Sequence, residues 1–184
     1  MKNRNLLIAG NLVLLAVVTR LIPHYPNFTA VGAMALFSGA ILKDKRWAFA
    51  LPLLAYWLSD LVLNNVIYSS YMDGFAWFTP GVMYQMVPIL LIVAYGAYGM
   101  KRIGVGQVAL GGIVATVIFF LVSNYGVWAS GTMYPASFSG LMASYLAGLE
   151  YALKGTLLSN LFYSAVLFGV YAWIARPKVQ SVGV

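Results

Sequence analysis

The stretch Gln107–Trp128, QVALGGIVATVIFFLVSNYGVW, decides the fold class. It contains no charged residue, and the nearest basic pair, Lys101 and Arg102, lies just before it. A helix rises 1.5 Å per residue, so about 20 apolar residues cross the roughly 30 Å hydrocarbon core of a bilayer. Five further apolar runs flank this one, at approximately 6–22, 28–42, 47–68, 82–100 and 156–175. In lipid each segment has to satisfy its own backbone polar groups, so each run is expected to be a helix. A membrane β-barrel would show alternating segments of about ten residues, and none appears. The expected fold is all-α, a single transmembrane domain of six helices over residues 1–184.

Composition agrees. Only 8% of the 184 residues are charged and 62% are hydrophobic, whereas an ordinary soluble domain is about 25% charged. Such a chain cannot build a charged shell, so the lipid bilayer is its expected surroundings. The net charge of +7 raises the question of nucleic acid, and the placement of the charges answers it. Lys2, Arg4, Lys43, Lys45, Arg46, Lys101, Arg102, Arg176 and Lys178 all fall on one side of the six runs, nine of the eleven basic residues. Arg20 and Lys154 fall on the other. This is the positive-inside pattern, and it predicts both termini in the cytoplasm, with no nucleic-acid partner. Lys2 and Arg4 before an apolar run look like a signal peptide, but no small-x-small cleavage site follows, so a retained first helix is expected.

The first run ends at Pro23 and Pro26, which force an extended link. Asn27 is the expected N-cap of the second helix, and Pro177 is expected to stop the sixth. The outer loops are then 23–27, 69–81 and 129–155. In the last of these, Leu141, Met142, Tyr145, Leu146 and Leu149 recur at helical spacing, which predicts a short interfacial helix. Pairs such as Ala35 with Gly39 and Gly111 with Ala115 permit close helix approach. No internal or inverted repeat is visible, which speaks against a self-contained alternating-access carrier.

Polar side chains gather at one level. Asp60 lies 13 residues beyond Trp47, roughly 20 Å from the inner face, with Asn64 one turn further on. Arg20, Gln85, Asn124 and Asn160 sit at the outer ends of their runs, and His24 and Asn27 lie in the first outer loop. A polar group facing lipid is costly, so these side chains are expected to face inward. Arg20 is the only basic residue near the level of Asp60, and two readings of the cluster follow. It either braces the bundle or forms a ligand site open to the outer face. Aromatic residues crowd the same face, with Tyr71, Trp77, Tyr84, Trp128 and Tyr134 as the candidates to stack on a flat ligand. On the site reading, Asp60→Asn and Asn124→Ala each weaken uptake without preventing membrane insertion.

Much chemistry is excluded. There is no cysteine, hence no disulfide or thiolate metal site. The single histidine, His24, rules out two-histidine haem or zinc centres. The four acids, Asp44, Asp60, Asp73 and Glu150, are scattered, and no phosphate-binding Walker motif is present. No enzyme, cofactor or metal site is expected.

The segment Pro26–Leu61, PNFTAVGAMALFSGAILKDKRWAFALPLLAYWLSDL, carries a resemblance. Its short outer loop, small-residue-rich helix over Gly32–Gly39, basic turn over Lys43–Arg46 and Ser59–Leu61 ending resemble the S components of energy-coupling factor vitamin transporters. The segment is also similar to an uncharacterised group of bacterial six-span proteins. The S-component resemblance implies a substrate-binding membrane subunit in the bacterial inner membrane, capturing a small vitamin-like ligand near the outer face. It also implies a membrane coupling subunit with ATPases as partner. The alternative, a structural or accessory membrane protein whose polar cluster holds the bundle without a ligand, stays open at this point.

Overall fold

A computed structural model describes residues 2–175, with side chains from Asn11 to Ile174. The expectations that rest on Arg176, Pro177 and Lys178, and on the side chains of Lys2 and Arg4, lie outside the described residues. All the regular secondary structure of the described chain is helical, with no strand among its residues. Seven α-helices follow in order: α1 (Lys2–Leu21), α2 (Val31–Ile41), α3 (Lys45–Val62), α4 (Met83–Ala94), α5 (Val105–Ala129), α6 (Phe138–Tyr151) and α7 (Leu158–Ala175). Three wider π-helical turns extend them: Leu63–Ile67 after α3, Tyr95–Gly99 after α4, and Ala152–Leu157 between α6 and α7. Three helical runs are long and apolar enough to cross a membrane: Lys45–Ile67, Val105–Ala129 and Phe138–Ile174.

The organising element is the shortest of the apolar runs. α2 packs against α3, α4, α5 and α7, and every residue from Ala33 to Gly39 is buried. Its sequence, VGAMALFSGAI, explains the position, because small residues on several faces let neighbouring backbones come close on every side. At the crossing with α4 the fit is reciprocal. A Cβ on Gly39 would strike the Val93 carbonyl, and one on Gly96 would strike the Leu36 carbonyl. Gly111 of α5 packs on the Leu36 side chain in the same way. Ser38 joins α2 to α3 by donating to the Ala48 carbonyl at 2.9 Å. At the far end Lys45 donates to the Gly39 and Leu42 carbonyls at 2.9 and 3.1 Å, closing carbonyls that a helix end leaves open.

Two expectations change. Asn27 is not the cap of α2. Ala30 holds that place with no side-chain cap, and Asn27 stands three residues earlier with φ +65°, a left-handed conformation that asparagine tolerates better than most residues. The helix expected in the fifth loop exists as α6, but it does not stand apart. It runs through the π-helical turn into α7 as one helix of 37 residues, Phe138–Ile174. Its first half, α6, lies along α5, where Ser144 donates to the Asn124 carbonyl at 2.8 Å and Tyr145 to the Leu121 carbonyl at 3.0 Å. A helix with this much side-chain contact to a neighbour is a wall of the bundle rather than a surface float.

Candidate functional site

Polar residues that form one cluster in the sequence separate into two structures in space. The first is an ion-pair brace. One face of α3 carries Tyr56, Ser59 and Asp60, spaced three and four residues apart and so aligned toward one neighbour. Arg20, near the end of α1, reaches across to them. Its Nη1 donates to the Tyr56 carbonyl at 2.9 Å and to Ser59 Oγ at 2.7 Å, and its Nη2 donates to Asp60 Oδ1 at 3.0 Å. The guanidinium also lies 4.0 Å from the centre of the Tyr56 ring, within the range of a cation–π contact. The second oxygen of Asp60 accepts from the Thr79 hydroxyl at 2.6 Å, and Thr79 Oγ1 accepts from Asn64 Nδ2 at 2.9 Å. The Arg20 and Asp60 side chains are only 14% and 7% exposed. A buried pair is tolerated when the remaining lone pairs and protons are also satisfied, and here they largely are. Asn65 and Trp57 hold the following loop, pairing with Ala76 and with the Trp77 carbonyl.

The second structure is a cavity of about 420 Å³ beside the brace. It exists because α2 begins only at Val31, so the irregular segment between α1 and α2 fills what a longer helix would occupy. Irregular backbone within a membrane is viable where it is buried in protein or lines a cavity. The walls come from α1, α2, α3, α4, α5 and α7, and from two of the π-helical turns through Leu63 and Thr156. Such wide turns recur at functional sites. Ile89, Ile92, Val31 and Phe119 give an apolar surface, while Gln85, Asn160, Thr29 and Thr156 place polar groups in it.

Asn160 is the best-defined of these, at 2% exposure. Its Nδ2 donates to Thr116 Oγ1 at 3.1 Å, and the Thr116 hydroxyl spends its own proton on the Gly112 carbonyl at 2.8 Å. The network therefore fixes the amide orientation and directs Oδ1 toward α2, where a Cβ on Gly32 would strike it. No described residue donates to that oxygen, and the Gln85 side chain likewise makes no hydrogen bond with the described residues. The loop over the cavity is held to the α6–α7 run. Tyr25 donates to Glu150 Oε1 at 3.4 Å, Phe28 packs on Phe162 and Tyr163, and Pro26 sits against Gly155. His24 Nδ1 is paired with the Tyr25 carbonyl at 2.8 Å, which leaves Nε2 as the ring atom without that bond.

Of the sequence-derived candidates, Arg20, His24, Asn27, Gln85 and Asn160 line the cavity. Asp60 and Asn64 belong to the brace and face Arg20 and Thr79 instead. Asn124 lies between α5 and α6, its Nδ2 on the Phe120 carbonyl at 2.9 Å and its amide against Gly148. Tyr84 packs on Gly126 and lines a separate apolar groove with Leu121, Tyr125 and Tyr145. Trp128 donates to the Pro135 carbonyl at 3.0 Å, and the half-buried Tyr134 lies in the same connection. Tyr71 and Trp77 are 84% and 61% exposed in the loop after α3. None of these five aromatic residues borders the cavity. Sequence reasoning missed Thr29, Thr156 and Gly32 in the cavity, and Tyr56 and Thr79 in the brace. Threonine and glycine carry no depth signal in an apolar run, and Thr79 meets Asp60 only through the folding-back of a loop.

No match is found among curated proteins or among solved structures. Residues 1–182 match the family described as Family of unknown function (DUF6580), and the chain belongs to that family.

Proposed function

We propose that this chain is a six-span protein of the bacterial inner membrane, with both termini in the cytoplasm, that captures a small vitamin-like nutrient. The ligand enters from the outer face and rests over the first turn of α2. The observation that carries the reading is the cavity of about 420 Å³ with polar groups that have no partner among the described residues, chiefly the Gln85 amide and Asn160 Oδ1. Ligand sites are typically concave, mostly apolar and fitted with a few convergent polar groups. Unused hydrogen-bonding groups in an apolar enclosure are otherwise costly. The distribution of basic residues supports the orientation. The resemblance to S components supports a transport role, with a membrane coupling subunit and ATPases supplying the energy.

A second reading has an observation of its own. The Arg20–Asp60 pair is largely satisfied within the protein, as a structural brace would be, and this favours an accessory protein without ligand. One experiment separates the two. Detergent-purified protein is melted against a panel of vitamins and their precursors, as wild type and as Gln85→Leu. Saturation at 100 times the dissociation constant stabilises by roughly 2.7 kcal/mol. A ligand-dependent rise in wild type that Gln85→Leu loses, with little change in its unliganded melting point, supports capture. Silence across the panel supports the accessory role.

A further inference from the structure

The first turn of α2 ends uncapped inside the protein. Helix N-termini leave backbone N–H groups without intrahelical partners, and here the N–H groups of Val31, Gly32 and Ala33 find no acceptor among the described residues. Val31 and Ala33 are buried, and Val31 and Gly32 line the cavity. Directly beside these donors stands an acceptor, Asn160 Oδ1, fixed over Gly32 by the Thr116 bond and itself without a donor among the described residues. The cavity therefore offers donors and an acceptor side by side, with Gln85 able to act as either.

Charge narrows the ligand further. The only formally charged side chain on the cavity wall among the described residues is Arg20, and Asp60 neutralises it at 3.0 Å. A cationic ligand finds no free acid, since both Asp60 oxygens already have partners. A carboxylate set on the α2 amides would bring its second oxygen toward Asn160 Oδ1, acceptor against acceptor. An ionised group without a matching charge is expensive to bury.

We infer that the ligand is uncharged and presents a carbonyl next to an N–H, the edge of a cyclic amide or ureide. Its carbonyl oxygen accepts from the α2 amides and its N–H donates to Asn160 Oδ1, while its ring lies against Ile89, Ile92 and Phe119. This rests on the capture reading above and specifies its substrate class.

The test uses purified full-length protein and neutral probes that differ only in the N–H: uracil with 1,3-dimethyluracil, and the bicyclic lumazine with 1,3-dimethyllumazine. Benzoate and choline serve as an anion and a cation. Binding is read by calorimetry and melting shift. The expected result is binding of a parent ureide, with affinity at least about tenfold weaker for its dimethyl derivative, because methylation leaves a buried acceptor unpaired. In Asn160→Ala that discrimination disappears. If that variant does not fold, the parent–dimethyl comparison in wild type decides alone. Equal binding of parent and dimethyl forms overturns the inference, as does failure of both parents at millimolar concentration. Binding of benzoate or choline alone overturns the ureide class yet leaves the capture reading standing, whereas the vitamin panel tests capture itself.

Discussion

Arg20 makes three hydrogen bonds and one ring contact with α3, so its counter-charge matters more to the fold than to a ligand. Asp60→Asn leaves that guanidinium uncompensated in a mostly buried place, and breaking such a pair costs on the order of 3 kcal/mol. A clearly lower melting point is expected, with any ligand-induced shift retained, since Asp60 does not border the cavity. Asn124→Ala is expected to behave the same way and more mildly, because its amide packs between α5 and α6. Loss of ligand binding at unchanged stability in either variant would refute the division into brace and cavity. Tyr56 links the two structures, as it carries the Arg20 contact and also lines the cavity.

Among the elements, α2 has the least freedom. Its crossing with α4 is made by backbone against backbone at Gly39 and Gly96, where no side chain can move aside. Gly96→Val is therefore expected to destabilise by at least the roughly 1–3 kcal/mol of ordinary overpacking, seen as a lower melting point in detergent. Gly106→Ala is the control, since a Cβ there meets nothing. Equal melting points for the two variants would mean that the crossing is looser than described. The π-helical turns act at this scale too. The turn Ala152–Leu157 joins α6 to α7 without a break and brings Thr156 to the cavity wall.

For the whole molecule, the open matter is orientation, and composition offers a direct way to examine it. The chain has no cysteine, so single cysteines can be introduced without removing any. Asp73→Cys in the loop after α3 is expected to react with a membrane-impermeant maleimide in intact cells. Lys101→Cys, in the connection between α4 and α5, is expected to react only after permeabilisation. Both positions are exposed in the fold, so burial does not complicate the readout. The reverse labelling pattern would place the cavity toward the cytoplasm and remove the proposal of capture from outside.

What the sequence by itself determined follows from local, one-dimensional physics. Apolar runs dictate helices, and Pro23, Pro26 and the basic clusters mark links between them. That reasoning reached all the apolar helices and the helix after residue 137, and it paired Arg20 with Asp60 because no other base shares that level. It also found five residues of the cavity wall, since depth along a helix can be counted from the residue number. The rotational position of each helix about its axis is a different quantity, and only the tertiary structure decided it. Asn124 and Asn160 both read as outer-end residues of their runs, yet Asn124 turns toward α6 while Asn160 meets Thr116, about two turns along α5 from Asn124, and faces Gly32. The same packing made α2 a short central helix with an open first turn, because the small residues that read as packing signals met backbone on several sides at once. An aromatic ring at the outer face satisfies a belt, a groove or a binding site equally well in sequence, and the choice among them rests on which neighbours the packed helices bring against it.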